Sequence, residues 1–372
     1  MNLRLPVYDE RGGAFARLRH RRVLIYWPHG LGDYVHLGAI VPLLEPSNTY
    51  FITRYGDDFV HLYDGCEYVA PLFSGVARTG DGSAQAARHL GIDFKRIRNR
   101  EETLVAAEPL ATRMRDADID TVLYTDYPDR AGSRAFPYHT KARALARALI
   151  ESQRLAQFGL EKPLRSVLPL HVPASSVAFV EARLRTFVDA GERLYLVAPG
   201  GHTNANKLWP EDEALRLARR LRERDPRARV LQVDERTAAQ LGRESQALPT
   251  TTDLFGTPGT SDVFDVPFAH LLTVLIRASV AVVGVPAGPL HLALAIGERP
   301  IVGIWLAHHP DWYDEPCASA IHLLGPQTYR KKFERRAATR TLPQTWQHRI
   351  LPFRDHVPTA EDVVNALEQI EV

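Results

Sequence analysis

Three short stretches carry the residue types that do chemistry. Gly30-Leu31-Gly32-Asp33 follows the apolar run Arg22 to Trp27 and sets a carboxylate behind two turn-forming glycines. A GxG turn ahead of a helix suggests a dinucleotide phosphate loop, but the third glycine of GxGxxG would fall at Val35. Asp33 would also face the pyrophosphate, and like charges ~4 Å apart repel by several kcal/mol in a protein cleft. The turn is better suited to a neutral hydroxyl, toward which Asp33 is a candidate general base. Asp33 also reads as an N-cap for the following helix, and the two roles are compatible.

The second stretch, GGHTNANKLWP from Gly200, has the opposite electrostatics. Gly200 and Gly201 allow close backbone approach, Thr203 and Asn204 can donate hydrogen bonds, and Lys207 adds a point charge, a set suited to a diphosphate. A solvated surface loop with an incidental lysine is the alternative. In the third stretch, VPAGPLH, Gly288 and Pro289 open an apolar helix that carries His291 on its first turn. The unpaired N–H groups of a helix N-terminus suit a phosphate oxygen; a satisfied core histidine is the other reading of His291. His308, His309, Asp311, Asp314 and Glu315 in AHHPDWYDE are neighbours in a proline-containing loop, which does not define a coordination shell, so no metal is expected.

Each of the three stretches needs a strand before it and a helix after it, and the chain has that rhythm. Arg22 to Trp27, Thr49 to Thr53 and Ile119 to Tyr124 read as strands, and Tyr138 to Phe158 as a long helix. Three prolines in Pro163 to Pro173 mark a linker. The rhythm restarts at Leu194 to Ala198. A helix from Pro210 follows, with Ala214, Leu217, Ala218 and Leu221 on one face, acids in its first turn and arginines later. Further strands are expected at Arg229 to Val233, Val280 to Gly284 and Ile301 to Trp305. The uncharged run Ala278 to Gly297 has the length of a membrane span, but its glycines and prolines break it into strand, tight loop and helix. From Thr359 a last helix shows a Thr-x-x-Asp start, with Val363, Ala366, Leu367 and Ile370 on one face.

The 372 residues, 45% of them hydrophobic, suffice for two cores. The expected division is 1–170 and 171–358, with the final helix, 359–372, returning to the first domain. Forty-six basic against 44 acidic residues leave a net charge of +2, too small to imply nucleic-acid binding. Two distant cysteines, Cys66 and Cys317, fit a reduced cytoplasmic protein, and MNLRLPVYDERGG lacks a signal-peptide core. The basic run YRKKFERR, Tyr329 to Arg336, suits an anionic membrane surface or a plain solvated face.

Taken in order, Gly30-Leu31-Gly32-Asp33 with Pro42 beyond it, FPYHTKARALARAL, the run from Ala198 through HTNANK to Pro210, and VVGVPAGPLHLALAIG resemble the ADP-heptose-dependent glycosyltransferases of lipopolysaccharide core synthesis. The resemblance spans about Arg22 to Pro300. It implies an α/β GT-B fold of two Rossmann-like, doubly wound domains facing a cleft, with acceptor on the first and nucleotide sugar on the second. It further implies inversion at the anomeric carbon, no catalytic metal and no cofactor beyond the nucleoside-diphosphate sugar. Asp33 matches the family's base, Lys207 its donor-phosphate lysine, and Gly288 and His291 its nucleotide-sugar loop. Thr203 joins the donor set, with Gly32, Asn204, Glu235 and Pro289 as secondary candidates; Asp234 is the other loose match to the family's ribose-binding acid. The acceptor is a glycan, a lipid-linked molecule or a small molecule. This chain departs from the family at Pro286-Ala287, where Asp-Thr or Asp-Ser is usual. A relative that binds nucleotide sugars without turnover is therefore an alternative, as is an NAD(P)-dependent oxidoreductase on the strength of the GxG turn.

Overall fold

A computed structural model describes residues 170–200, 207–234, 248–256, 266–307, 309–310, 317–326 and 348–371, and positions 241 and 328. Before residue 170 it describes five strands and positions 31, 32, 35 and 62. The chain divides into two compact units, Met1–His171 and Val172–Val372.

The first unit holds a parallel sheet of β1 (Val7–Tyr8), β2 (Arg22–Tyr26), β3 (Asn48–Ile52), β4 (Val69–Pro71) and β5 (Thr121–Tyr124). Its order is β1-β5-β2-β3-β4. The chain runs outward from β2 through β3 to β4, then returns to the other side of β2 as β5. Strand direction of travel therefore reverses at β2, and the segment that leaves β2 begins at a topological switch point, where open α/β sheets bind ligands. Leu31, Gly32 and Val35 beyond it are helical, with Leu31 and Val35 buried.

The second unit holds β6 (Arg193–Ala198), β7 (Ala228–Gln232), β8 (Ala281–Gly284), β9 (Ile301–Trp305), β10 (Ala320–Leu324) and β11 (Arg349–Pro352). All pairs are parallel in the order β11-β10-β9-β8-β6-β7. Gln232 forms one more parallel bridge, to Thr250, beyond β7. The helices are α1 (Ala174–Leu184), α2 (Glu211–Arg224), α3 (Thr251–Phe255), α4 (Phe268–Ala278), α5 (Gly288–Ile296) and α6 (Ala360–Glu371). A sheet covered on both faces must be apolar on both, and every residue of β8, β9 and β10 is buried. One face, with Val197, Val230, Val283, Ile304 and Leu323, packs on Ala214, Leu217 and Leu221 of α2 and on α6. On the other face Gly284 lies against Leu290 of α5, where an added Cβ would meet the leucine Cβ at 3.5 Å.

The uncharged run resolves into β8, a tight turn and α5, as its glycines and prolines require. Among the described residues no helix is long and apolar enough to cross a membrane.

The expected return of the final helix to the first domain is corrected. Val363, Val364, Ala366 and Leu367 of α6 are buried in the core of the second unit. Two local features commit the helix there. The carboxylate of Glu213, in the first turn of α2, accepts the Ala360 N–H at 2.7 Å. Arg224 reaches Glu361 at 3.2 Å and also pairs with Glu368. The Thr-x-x-Asp start is a capping box: Thr359 N–H donates to Asp362 Oδ2 at 2.8 Å and Asp362 N–H to Thr359 Oγ1 at 3.3 Å.

At the other end of α2, Asp225 accepts the Arg227 backbone N–H at 3.0 Å. That bond first, then the Arg227 and Arg193 side chains, hold its carboxyl below the ordinary 3.8.

Candidate functional site

In the second sheet the chain steps from β6 to β7 on one side and from β8 to β11 on the other. The switch point therefore lies between β6 and β8, whose last residues, Ala198 and Gly284, are paired in register. The connections that leave these two strands start side by side. Val285 N–H donates to Ala198 O at 3.0 Å, and Trp209 N–H to Pro199 O at 2.9 Å. The first connection carries Lys207, which is half-buried; the second ends at Gly288. Sequence reasoning brought these two segments to one ligand site, and the strand register places their starting points together.

The Lys207 segment is anchored at its far end. Trp209 is 2% exposed, and its indole N–H donates to Pro358 O at 2.7 Å. Gly200 lies close to Leu208, whose Cδ2 would sit 3.2 Å from a Cβ added at the glycine. The sequence shows Trp209 beside Lys207 but gives it no role, because its partner lies 149 residues away.

At the second connection, Gly288 and Pro289 are the first two residues of α5. Pro289 is tolerated there because its missing N–H has no intrahelical partner to lose. Ala287 is the N-cap, with extended backbone and no side-chain cap bond, and the first turn carries no acid. The positive end of this helix is thus uncompensated by its own side chains, which is the local electrostatics an anion requires. His291 is buried at 5% exposure and meets Trp305 edge to face, ring centroids 6.3 Å apart.

After β7, Asp234 is half-buried and held by backbone bonds: Thr251 and Thr252 hydroxyls donate to its carbonyl at 2.9 and 2.8 Å. Its carboxylate accepts Gln232 Nε2 at 2.9 Å. An acid at the end of the second strand of a Rossmann unit is placed to meet a ribose hydroxyl. Asp33, Thr203, Asn204, Glu235, His308 and the run Tyr329 to Arg336 lie outside the described residues. Gly32 is helical and half-buried. Among the described residues no three His, Cys, Asp or Glu side chains gather as a metal site.

A second missed feature is a buried ring chain. Trp305 Nε1–H donates to His322 Nδ1 at 2.8 Å, and His322 Nε2 faces His348 Nδ1 at 3.2 Å. The clue in the sequence is one histidine inside the otherwise apolar AIHLL; its partner is set by register, which the sequence does not display.

Two parallel sheets, each with its chain reversal at a strand that feeds a glycine-rich connection, are the two Rossmann-like units of a GT-B glycosyltransferase. The chain belongs to glycosyltransferase family 9 (heptosyltransferase), whose family model matches residues 140–342, more than half of the 372. It is a glycosyltransferase, and the oxidoreductase alternative is set aside. Among solved structures it is similar in fold to the family 9 glycosyl transferase of Veillonella parvula. That match has 14% identity and a TM-score of 0.56, over 95% of this chain and 97% of that one. It is likewise similar to E. coli ADP-heptose LPS heptosyltransferase II, at 15% identity and a TM-score of 0.52, over 94% and 100% of the two chains. No curated protein matches it.

Proposed function

We propose that this enzyme transfers a sugar from a nucleoside-diphosphate donor to an acceptor hydroxyl, with inversion and without a metal ion. The observation that carries the reading is the pairing of Ala198 with Gly284, which starts the Lys207 connection and the α5 connection side by side at the switch point. Open α/β sheets take ligands at the switch point, and in a family 9 glycosyltransferase we assign that place to the nucleotide sugar. Lys207, Thr203 and the α5 N-terminus at Gly288, with His291 behind it, hold the diphosphate, and Asp234 or Glu235 meets the ribose. Asp33, on the first unit, takes the proton from the acceptor hydroxyl as that oxygen bonds to the anomeric carbon. The bond from that carbon to the diphosphate breaks, and the leaving group departs with its electron pair toward lysine and amide donors. Such donors stabilise the developing charge in the role a divalent ion fills elsewhere.

The first unit binds the acceptor, a glycan, lipid-linked molecule or small metabolite, and the second binds the donor. The work is cytoplasmic, with Tyr329 to Arg336 available to meet an anionic membrane face.

The test separates the two roles. Lys207→Ala should weaken nucleoside-diphosphate binding by about 1.5 to 3 kcal/mol. Asp33→Asn should keep that affinity while turnover falls about 100-fold or more, and excess chelator should leave the wild-type rate unchanged. Equal affinity in Lys207→Ala, undiminished turnover in Asp33→Asn, or a chelator loss restored by a divalent ion would each remove the corresponding part of the proposal.

A further inference from the structure

We infer that His322 is a positioning residue for the donor site, acting through Trp305 on His291. The inference rests on the donor-binding role of α5 proposed above. His322 is 0% exposed in a strand whose every residue is buried, so its ring nitrogens need partners. An indole N–H is only a donor, so His322 Nδ1 accepts from Trp305, and the proton of the neutral ring sits on Nε2, where it is donated to His348 Nδ1. A protonated His322 would set two donors against each other at 2.8 Å.

The chain makes room for this pair at a specific place. Gly303 lies opposite His322 in the β9–β10 register, and a Cβ there would fall 2.7 Å from His322 Nδ1 and 2.8 Å from Trp305 Nε1. Any other residue at 303 would push the two rings apart. The Trp305 ring is thereby fixed by a bond on its His322 side while it meets His291 with interplanar angle 67°. Turning the indole would break the bond to His322, so the surface against which His291 rests is held in one orientation. Trp305 ends β9, and His291 stands in the first turn of α5, the helix whose N-terminus the donor site uses.

A purely structural role predicts a different outcome from a positioning role. Trp305→Phe or His322→Leu alone leaves a buried polar group without its partner and should lower Tm. The pair Trp305→Phe/His322→Leu removes both ends of the 2.8 Å bond and should recover the part of the loss that this bond accounts for, leaving only the loss at half-buried His348 Nδ1. Affinity is read by calorimetry with ADP, UDP, GDP and CDP, following whichever binds the wild-type chain tightest. The double variant should bind about 10-fold more weakly despite its partly recovered Tm, and His291→Ala should cost less in that background than in wild type. In the unaltered chain, the Trp305 indole N–H resonance should shift when that nucleotide saturates the site.

Wild-type affinity in the double variant, an equal His291→Ala loss in both backgrounds, or an indole resonance that stays still on saturation would overturn the positioning role while leaving the donor site standing. A wild-type chain that binds none of the four nucleotides would overturn the donor-site reading and this inference with it.

Discussion

Ala287 stands at the N-cap of α5 with φ −137° and ψ 174°, a backbone ready for a capping side chain that alanine lacks. The usual acceptor targets are the second and third amides of the helix, and here the second residue is Pro289, which has no N–H. Only the Leu290 amide remains for a cap to satisfy. Ala287→Ser should therefore stabilise the enzyme by about 1 kcal/mol, seen as a higher denaturation midpoint at unchanged slope. An unchanged midpoint would show that the Leu290 amide is already satisfied. Pro286-Ala287 was visible as a departure in the sequence; its consequence for the helix start needed the dihedral angles.

Glu213 ties two helices that are far apart in sequence. Glu213 is 8% exposed, and its carboxylate accepts the Ala360 N–H and pairs with Arg216. Glu213→Ala strands a buried amide at the start of α6 and should cost about 1 to 3 kcal/mol, whereas Glu213→Gln keeps an acceptor oxygen and should cost less. Urea unfolding that ranks the two variants equally would move the cap elsewhere. The same position shows what periodicity reveals and what it hides. The face Ala214, Leu217, Ala218 and Leu221 was legible because a 3.6-residue repeat is local, strands β2, β6 and β8 were legible as apolar runs before glycine turns, and β9 as an apolar run. The short edge strands β1 and β11, the strand β10 with its histidine, and the helices α1 and α4 carry weaker local signals and depend on their neighbours for burial. The destination of α6 was misread because its partner acid lies 147 residues earlier.

At the scale of the whole enzyme, the order of motifs along the chain was enough to place it in its family, whereas choice among sugars turns on individual polar groups that motif order does not display. On the donor-site reading proposed above, Pro286 offers the sugar no N–H and Ala287 no hydroxyl, fewer hydrogen bonds than an Asp-Thr or Asp-Ser pair would offer. A site built to bond a hydroxyl rejects ligands that leave its buried groups unpaired, whereas a site lacking those groups tolerates a sugar in which that hydroxyl is absent or turned. The expected donor is then a nucleotide sugar other than ADP-L-glycero-D-manno-heptose. Steady-state turnover across a broad panel of nucleotide sugars should favour another donor in the native chain, and replacing Pro286-Ala287 with Asp-Thr should shift kcat/KM toward ADP-heptose. If ADP-heptose is the best donor with the native connection in place, the selectivity argument fails, and polar groups elsewhere in the site replace the missing pair.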